Sequence, residues 1–156
     1  MDTRIDQPAA TADTSEELYQ RLIMERARQP LHAGVLDLAD RAADGNNPFC
    51  GDRVHVTLGL SPEGGVARAL HRTRGCAICA ASADLMAETV EGLDEAAIRS
   101  LFERFDVMLR DGPGESPDAL GLLSAFENLH EYRSRIRCAT LPWTALLDAL
   151  KSERTV

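Results

Sequence analysis

Three cysteines, each beside a glycine or near a probable helix start, are the residues of this chain best suited to chemistry. Cys50 lies in the segment NPFCGD (residues 47–52), Cys76 in RGCAI (residues 74–78) and Cys138 in RCATL (residues 137–141). Cysteines that serve only packing usually lie on apolar faces without such turn residues. Together with Asp52, the three thiols supply three sulfur ligands and one carboxylate, which complete one tetrahedral shell for zinc.

The predicted positions of two of these cysteines favour the thiolate form. Cys76 is predicted to lie at the start of one helix, and Cys138 directly before the last helix. Free backbone N–H groups and the positive end of the helix dipole stabilise a thiolate there, and Arg74 and Arg137 add positive charge. Because a thiolate is both a metal ligand and the nucleophile that attacks a persulfide, the sequence is compatible with either chemistry.

Gly51 separates Cys50 from Asp52 and allows a tight bend that directs sulfur and carboxylate to one centre. A carboxylate is harder and more easily displaced than a thiolate, which indicates a site that opens rather than a sealed structural zinc. Taken alone, this pair is equally compatible with an ordinary turn, and a single buried cysteine is more often inert packing. Alternative ligands are the four histidines His32, His55, His71 and His130. Of these, His55 and His71 lie on predicted strands and are expected at surface or cross-strand positions.

The composition indicates one domain with a real core. The chain has 156 residues, of which 44% are hydrophobic, and a net charge of −8. The acidic balance argues against a partner such as nucleic acid or an anionic membrane. No apolar run approaches the roughly 20 residues of a membrane span, and no signal-peptide pattern is present. We therefore expect a cytoplasmic protein, in which four cysteines indicate metal binding or reactive thiols before disulfides.

The first half of the chain predicts a tail, a helix and a small sheet. Residues 1–14 lack periodicity and are expected to form a flexible N-terminal tail, followed by a single domain over 15–156. A helix is expected from Ser15 until Pro30 stops it. A short edge strand is expected within residues 36–44. Residues 53–60 alternate between apolar and polar and predict a strand. The turn signal SPEGG follows, so residues 66–74 are expected to return as its partner strand.

The second half predicts helices. An alanine-rich helix over 77–90 ends before Gly92, and Asp94 caps the next one. The glycine- and proline-rich residues 111–117 predict a loop, and residues 120–130 are helical in pattern. The last helix is expected from about Ala139 to Lys151, with Pro142 in its first turn. Strands followed by helices predict an α+β domain, in which helices pack on one face of a small antiparallel sheet of about three strands.

Three segments together resemble a known family. They are NPFCGD (47–52), GCAI with ASA (75–78 and 81–83) and RIRCATLPW (135–143). In this order they are similar to the signature segments of the IscU/SufU/NifU-N family of iron–sulfur cluster assembly proteins, over about residues 18–150. The SufU branch resembles this chain most, because residues 111–132 are similar to the SufU insertion and Arg137 replaces a histidine of IscU.

The resemblance implies roles for individual residues. Zn2+ would be held by Cys50, Asp52, Cys76 and Cys138, and Cys50 would accept persulfide sulfur from a SufS-like cysteine desulfurase. A histidine of the desulfurase would then take the place of this cysteine on zinc. The sulfur would pass to the downstream Fe–S assembly machinery. Two arginines are expected to support the site: Arg135, paired with Asp52, and Arg137.

Two other functions share these residues. The first is an IscU-like scaffold, in which Cys50, Cys76 and Cys138 carry a [2Fe-2S] cluster or Fe2+ and Asp52 tunes its release. The second is a binding module with a structural zinc, in which Cys79 completes an all-cysteine site. Cys79 lies one helical turn after Cys76, where relatives usually carry serine. It could be a spare ligand, a resolving thiol or a small apolar residue.

Overall fold

The computed structural model describes residues 14–114 and 117–152, with the side chains of 117–119 left aside. The elements in chain order are α1 (Ser15–Arg28), β1 (Arg41–Asn47), β2 (Asp52–Leu60), β3 (Val66–Arg74), α2 (Ala77–Val90), α3 (Glu95–Asp111), a 3-10 segment (Pro117–Glu131) and α4 (Arg133–Lys151). The predicted tail lies outside the described residues except for Thr14, which caps α1. Over the described ranges, no helix is both long and apolar enough to span a membrane.

The three strands form one antiparallel sheet in the order β1-β2-β3, which confirms the predicted α+β class. Alternate residues of β2 face the helices and are fully buried: Val54, Val56 and Leu58. Helices α2 and α4 cover this face. On the opposite face, Thr57 is buried as well. Its hydroxyl accepts a hydrogen bond from the Leu36 N–H at 3.1 Å. The chain before β1 therefore covers the part of that second face around Thr57 and Gly59.

The edge strand lies further along the chain than predicted. It runs over Arg41–Asn47 rather than within residues 36–44, and includes glycine and asparagine residues that rarely form strands. Tertiary packing overrides this weak propensity. A side chain added at Gly45 would lie 3.1 Å from Leu141 and 3.2 Å from Ala145, so the absence of one lets α4 approach the strand closely.

The last helix begins six residues earlier than predicted, at Arg133 instead of Ala139. Pro142 therefore lies inside the helix, where it removes the hydrogen bond to the Cys138 carbonyl at a cost of about 3 kcal/mol. The helix continues because its inner face is deeply buried around Trp143, whose ring packs against Phe102 and Phe105. Cys138 is consequently a residue of the second helical turn.

The remaining helices agree more closely with the sequence pattern. Helix α2 has the predicted bounds, and Asp94 caps α3 by accepting a hydrogen bond from the Ala97 N–H at 2.8 Å. The region predicted to be helical over 120–130 forms 3-10 turns instead of an α-helix. Gly121 interrupts these turns with φ of 55° and ψ of −130°. The segment packs against α3 and α1 and closes the core beside α2.

A buried carboxylate joins α1, α2 and β3. Asp84 of α2 accepts hydrogen bonds from the Arg26 guanidinium at 3.0 Å and from the backbone N–H groups of Leu31 at 2.9 Å and His32 at 2.8 Å. His71 Nε2 lies 3.0 Å from Asp84 Oδ1, the oxygen that also accepts the His32 N–H. Burial alone would raise the pKa of Asp84, but these four partners lower it to about 2. The network fixes α2, the helix that Cys76 caps, relative to the sheet.

Candidate metal centre

Three segments meet at one end of the sheet and bring the sequence-predicted ligands together. The loop between β1 and β2 carries Cys50, and Asp52 is the first residue of β2. Cys76 is the N-cap residue of α2, directly after β3, as predicted. Cys138 reaches the same place from α4. The sheet therefore supplies the first three residues through neighbouring strand ends, and the final helix supplies the fourth.

Asp52 is the centre of the cluster. Its side chain is buried, with the whole residue 1% exposed. The Cys50 thiol donates to Asp52 Oδ2 at 3.0 Å, the Cys76 N–H donates to Oδ1 at 3.0 Å, and Cys76 Sγ lies 3.8 Å from Oδ2. Burial by itself would raise the pKa of this carboxyl. Hydrogen bonds from Cys50, from Cys76 and from the Cys138 thiol outweigh that effect and lower it.

The spacing of the donor atoms suits a small cation. One ligand atom each from Cys50, Asp52 and Cys138 lie within 4.8 Å of one another. Cys76 is outside this mutually close group, although its sulfur approaches Asp52 and interacts with the Cys138 thiol. A zinc ion with Zn–S bonds of about 2.3 Å holds its ligand atoms roughly 3.8 Å apart. The close group of three approaches this spacing, and Cys76 would have to move toward it to complete the shell.

Two glycines make this arrangement possible. Gly51 has φ of 78°, a left-handed conformation that other residues rarely adopt, and it turns the chain between Cys50 and Asp52. Gly75 lies against the Asp52 carboxyl group so closely that an added Cβ would be 2.8 Å from Asp52 Cγ and closer still to Oδ1. A side chain at position 75 would therefore displace the carboxylate from the Cys76 N–H.

The loop that carries Cys50 is stiffened by Asn47 and open to solvent at its tip. Asn47 Oδ1 accepts a hydrogen bond from the Phe49 N–H at 3.1 Å, and the backbone carbonyl of Asn47 accepts one from the Gly51 N–H at 2.8 Å. Phe49 is 85% exposed and Cys50 is exposed, whereas Cys138 is buried. Of the three cysteines in the cluster, Cys50 is therefore the most exposed, because Cys76 is half-buried.

The electrostatic environments of the thiols differ from expectation at one position. Cys76 lies at a helix N-terminus, as predicted, but Cys138 lies inside α4 and does not benefit from the helix dipole. Burial, together with hydrogen bonds to Cys76 and Asp52, raises the pKa of the Cys138 thiol well above its usual range. In the absence of a bound metal ion, these effects favour the protonated thiol of Cys138.

Arginines flank the cluster without entering it. We expected Arg135 to pair with Asp52; its described interactions are instead with the sulfur atoms of Cys76 and Cys138, which raise its pKa. Arg137 contacts the loop rather than the ligands, because its guanidinium carbon lies 5.6 Å from the centre of the Phe49 ring. Both side chains are exposed, so one arginine balances charge at the sulfur atoms and the other rests on the loop.

The remaining ligand candidates lie elsewhere. Cys79 is completely buried in the core. Its pKa is raised first by burial and then by the negative charges of Asp52 and the other cysteines. Among the histidines, His71 binds Asp84, His55 Nδ1 lies 2.9 Å from Asp44, and His130 contacts the Glu127 carbonyl. None of the four histidines belongs to the close group of donor atoms in the described residues.

Sequence reasoning missed the Asp84 network and the close approach of Gly75. A signal for the first was available, because an aspartate in the middle of the alanine-rich helix 77–90 needs cationic or hydrogen-bonding partners if it is buried. No local signal identifies Arg26 and His71 as those partners, since they lie 58 and 13 residues away from it. For Gly75, the sequence shows the glycine but not which side chain occupies the space beside it.

Comparison with known proteins gives a consistent result. Residues 18–139 match the family described as NifU-like N terminal domain. The chain is 33% identical to the zinc-dependent sulfurtransferase SufU of Bacillus subtilis, over 88% of this chain and 92% of the relative. It is 34% identical to the iron–sulfur cluster assembly scaffold protein IscU of Thermotoga maritima, over 86% and 93%.

A solved structure supports the same relationship. The N-terminal part of a nitrogen-fixing NifU-like protein from Brucella abortus superimposes with a TM-score of 0.76 and 27% identity. The match covers 85% of this chain and 92% of that structure.

Proposed function

Because the chain belongs to the family of NifU-like N-terminal domains, we propose that it is an iron–sulfur cluster assembly protein that accepts sulfur on Cys50. Its activity would be that of the Bacillus subtilis relative, a zinc-dependent sulfurtransferase. The observation that carries the proposal is the convergence of an exposed thiol, a buried thiol and a buried carboxylate within 4.8 Å of one another.

The donor set fits zinc. Three sulfur atoms and one carboxylate oxygen are the ligand types that a tetrahedral zinc site uses, and Cys50, Asp52, Cys76 and Cys138 provide them. Bound there, the ion would stabilise all three cysteines as thiolates and restrain the nucleophilicity of each until it is released. Asp52 already lies between the sulfur atoms and is held by the Cys76 N–H. The chain thus orients its oxygen ligand before any cation arrives.

Cys50 is the proposed sulfur acceptor because its thiol is exposed and belongs to the close group of donor atoms. The thiolate of Cys50 attacks the outer sulfur of a persulfide on a cysteine desulfurase. A new S–S bond forms on Cys50 while the S–S bond of the donor breaks, and the donor cysteine leaves as a thiolate. Held by zinc, Cys50 would already be a thiolate, so its attack would need no proton acceptor. In the metal-free protein its thiol donates to Asp52 Oδ2 at 3.0 Å. The bound sulfur then passes to other Fe–S assembly proteins.

The test measures sulfur on Cys50 directly. Protein purified in air should contain about one zinc per chain. After incubation with a SufS-type desulfurase and cysteine, mass spectrometry should find one extra sulfur atom on Cys50. The Cys50→Ala variant should remain folded, carry no transferred sulfur and fail to stimulate the desulfurase. Stimulation equal to that of the unchanged protein would contradict the proposal.

A matched control separates the acceptor from the other ligands. Cys138→Ala removes a buried ligand, and should therefore reduce zinc binding while leaving a Cys50 thiol that can still take sulfur. If Cys138→Ala abolished sulfur labelling and Cys50→Ala did not, Cys138 would be the acceptor.

The similarity to IscU favours a second candidate, a scaffold on which a [2Fe-2S] cluster or Fe2+ is held by the three cysteines. Exposure of Cys50 would then provide the exit route for the cluster. Anaerobic reconstitution distinguishes the two functions, because a scaffold turns brown and transfers its cluster to an apo-ferredoxin. A zinc-bound sulfur acceptor remains colourless under the same conditions.

A further inference from the structure

An arginine-rich surface lies at the metal-centre end of the sheet, on the face that α2 and α4 do not cover. Arg53 of β2 lies opposite Arg74 of β3, and His55 lies opposite Arg72. The three arginines are exposed. Together with Asp44 and Asn46 of β1, they line a shallow cavity of about 360 Å3. We call these four residues, Arg53, His55, Arg72 and Arg74, the basic sheet face.

The pairing of like charges across this face is unfavourable for the isolated protein. Side chains directly opposite each other on antiparallel strands approach to about 5 Å, and like charges there are destabilising. Among the described residues, none forms an ion pair with Arg53, Arg72 or Arg74. The only carboxylate that lines the cavity, that of Asp44, is hydrogen-bonded to His55 at 2.9 Å. The face therefore carries excess positive charge.

This local excess contrasts with the rest of the chain, whose net charge is −8. Such a contrast favours a compact anionic partner over a long polyanion, because DNA or an anionic membrane would be repelled by the remaining surface. A cluster of aspartate or glutamate side chains on another protein matches both the sign and the small extent of the face. Arginine also suits carboxylates, since its planar guanidinium can bind both oxygens at once.

The position of the face relates it to the sulfur chemistry. Arg53 follows Asp52 directly, and Arg74 precedes Cys76 by two residues. Since successive strand residues point to opposite faces, Arg53 lies across the sheet from the carboxylate. A partner bound to the basic sheet face would therefore sit at the same end of the sheet as the loop tip, where Phe49 and Cys50 are exposed.

We propose that the basic sheet face docks an acidic surface segment of the protein that delivers sulfur to Cys50. This inference rests on the proposed function for the identity of that protein, but not for the acidic chemistry of the segment. Carboxylates of the donor would pair with Arg53, Arg72 and Arg74 and relieve their mutual repulsion. Docking of this kind would mainly raise the association rate and would weaken with added salt.

The test uses Arg72→Glu. Of the three arginines, Arg72 is the one furthest along the chain from a proposed metal ligand. Arg68→Glu is the matched control, because Arg68 is an exposed arginine on the same strand and the same side of the sheet, outside the cavity. Both variants should bind about one zinc, like the unchanged protein. With a SufS-type desulfurase, the half-saturating concentration for sulfur transfer should rise about tenfold for Arg72→Glu and less than twofold for Arg68→Glu.

A second probe, a fluorescent hexaglutamate peptide, tests the acidic chemistry without the desulfurase. Its binding should weaken between 50 and 200 mM salt, disappear in Arg72→Glu and persist in Arg68→Glu. Equal transfer kinetics in both variants would overturn the proposal, as would binding of a short DNA duplex in place of the peptide. If the peptide binds as expected but Cys50 takes no sulfur from the desulfurase, the proposed function fails and the acidic docking surface stands.

Discussion

Two buried carboxylates of this protein, Asp52 and Asp84, have nearly the same exposure but opposite surroundings. Each is at most 1% exposed, and the pKa of each is lowered. Asp84 is surrounded by an arginine, a histidine and two backbone N–H groups. In the part of the chain that the structure describes, Asp52 has one backbone N–H and otherwise the thiols of cysteines as partners.

The difference indicates two roles: Asp84 with its partners is a structural anchor, and Asp52 is available to bind a cation. Asp84 uses both oxygens on permanent donors, one of them the positively charged Arg26, so its charge is compensated within the fold. Within residues 14–114 and 117–152, no cationic side chain forms an ion pair with Asp52, and its thiol partners release protons when a metal binds. One helix, α2, connects the two regions. The N–H of its N-cap residue, Cys76, donates to Asp52, and its middle carries Asp84.

The largest expected effect comes from removing the charge of the anchor. Asp84→Asn should reduce the free energy of unfolding of the metal-free protein by about 3–5 kcal/mol, because it leaves Arg26 and His71 without their shared carboxylate. Asp52→Asn should reduce it by only about 1 kcal/mol, since an amide oxygen can still accept the Cys76 N–H. Urea denaturation in the presence of a chelator measures both. Equal losses of stability would contradict the distinction between a structural Asp84 and a cation-binding Asp52.

The second prediction concerns the space beside Asp52. Gly75→Ala should weaken zinc binding about 10–100-fold, the range typical for a disturbed neighbour of a ligand, because the new Cβ displaces the carboxylate. Gly114→Ala is the control, since an added Cβ there meets no atom within 4 Å. Competition with a chromophoric chelator gives both affinities. Unchanged affinity in Gly75→Ala would mean that Asp52 is not a ligand.

The third prediction uses acid to test the anchor. The pKa of Asp84 is about 2 in the folded protein and near 3.8 when unperturbed, so ionised Asp84 stabilises the fold above pH 4. That contribution, about 2 kcal/mol, should be lost as the pH falls from about 4 to 2. Asp52 changes stability in the same direction. In Asp84→Asn the dependence on pH over this range should be correspondingly shallower, as measured by denaturation of metal-free protein at each pH.

The two regions also differ in how far the sequence predicts them. Cys50, Asp52, Cys76 and Cys138 stand in three short motifs that resemble family signatures, so the sequence indicates both their chemistry and their convergence. The Asp84 network has no motif, because Arg26, His71 and the backbone around residue 31 meet only through packing. Local patterns also located β2, β3 and α2 well, because the alternation of β2, the turn before β3 and the glycine after α2 are all visible in the sequence.

Elements whose boundaries depend on tertiary contacts were predicted less well. The edge strand Arg41–Asn47 has a poor strand composition and exists because α4 packs against Gly45. Pro142 suggested a helix start near Ala139, but burial of the helix face carries the helix through it from Arg133. This error moved Cys138 into the helix and removed the expected dipole effect on its thiol.

The smallest expected effect concerns Cys79, which lies between the two regions on α2. Its sulfur is completely buried and near the cluster, yet burial raises its pKa and favours the neutral thiol, as expected for a core residue. Cys79→Ala should therefore lower the free energy of unfolding by about 1 kcal/mol through lost packing. It should leave about one zinc per chain, measured by metal analysis, and sulfur labelling of Cys50 unchanged.

Cys76→Ala provides the matched comparison, because it removes the thiol one helical turn earlier on the same helix, at the cluster itself. It should reduce the zinc content with little loss of packing, since Cys76 is only partly buried. The opposite result, zinc lost with Cys79→Ala and kept with Cys76→Ala, would place the fourth ligand deeper in the core. The site would then be a closed structural one, more like the Asp84 anchor than an open site built around Asp52.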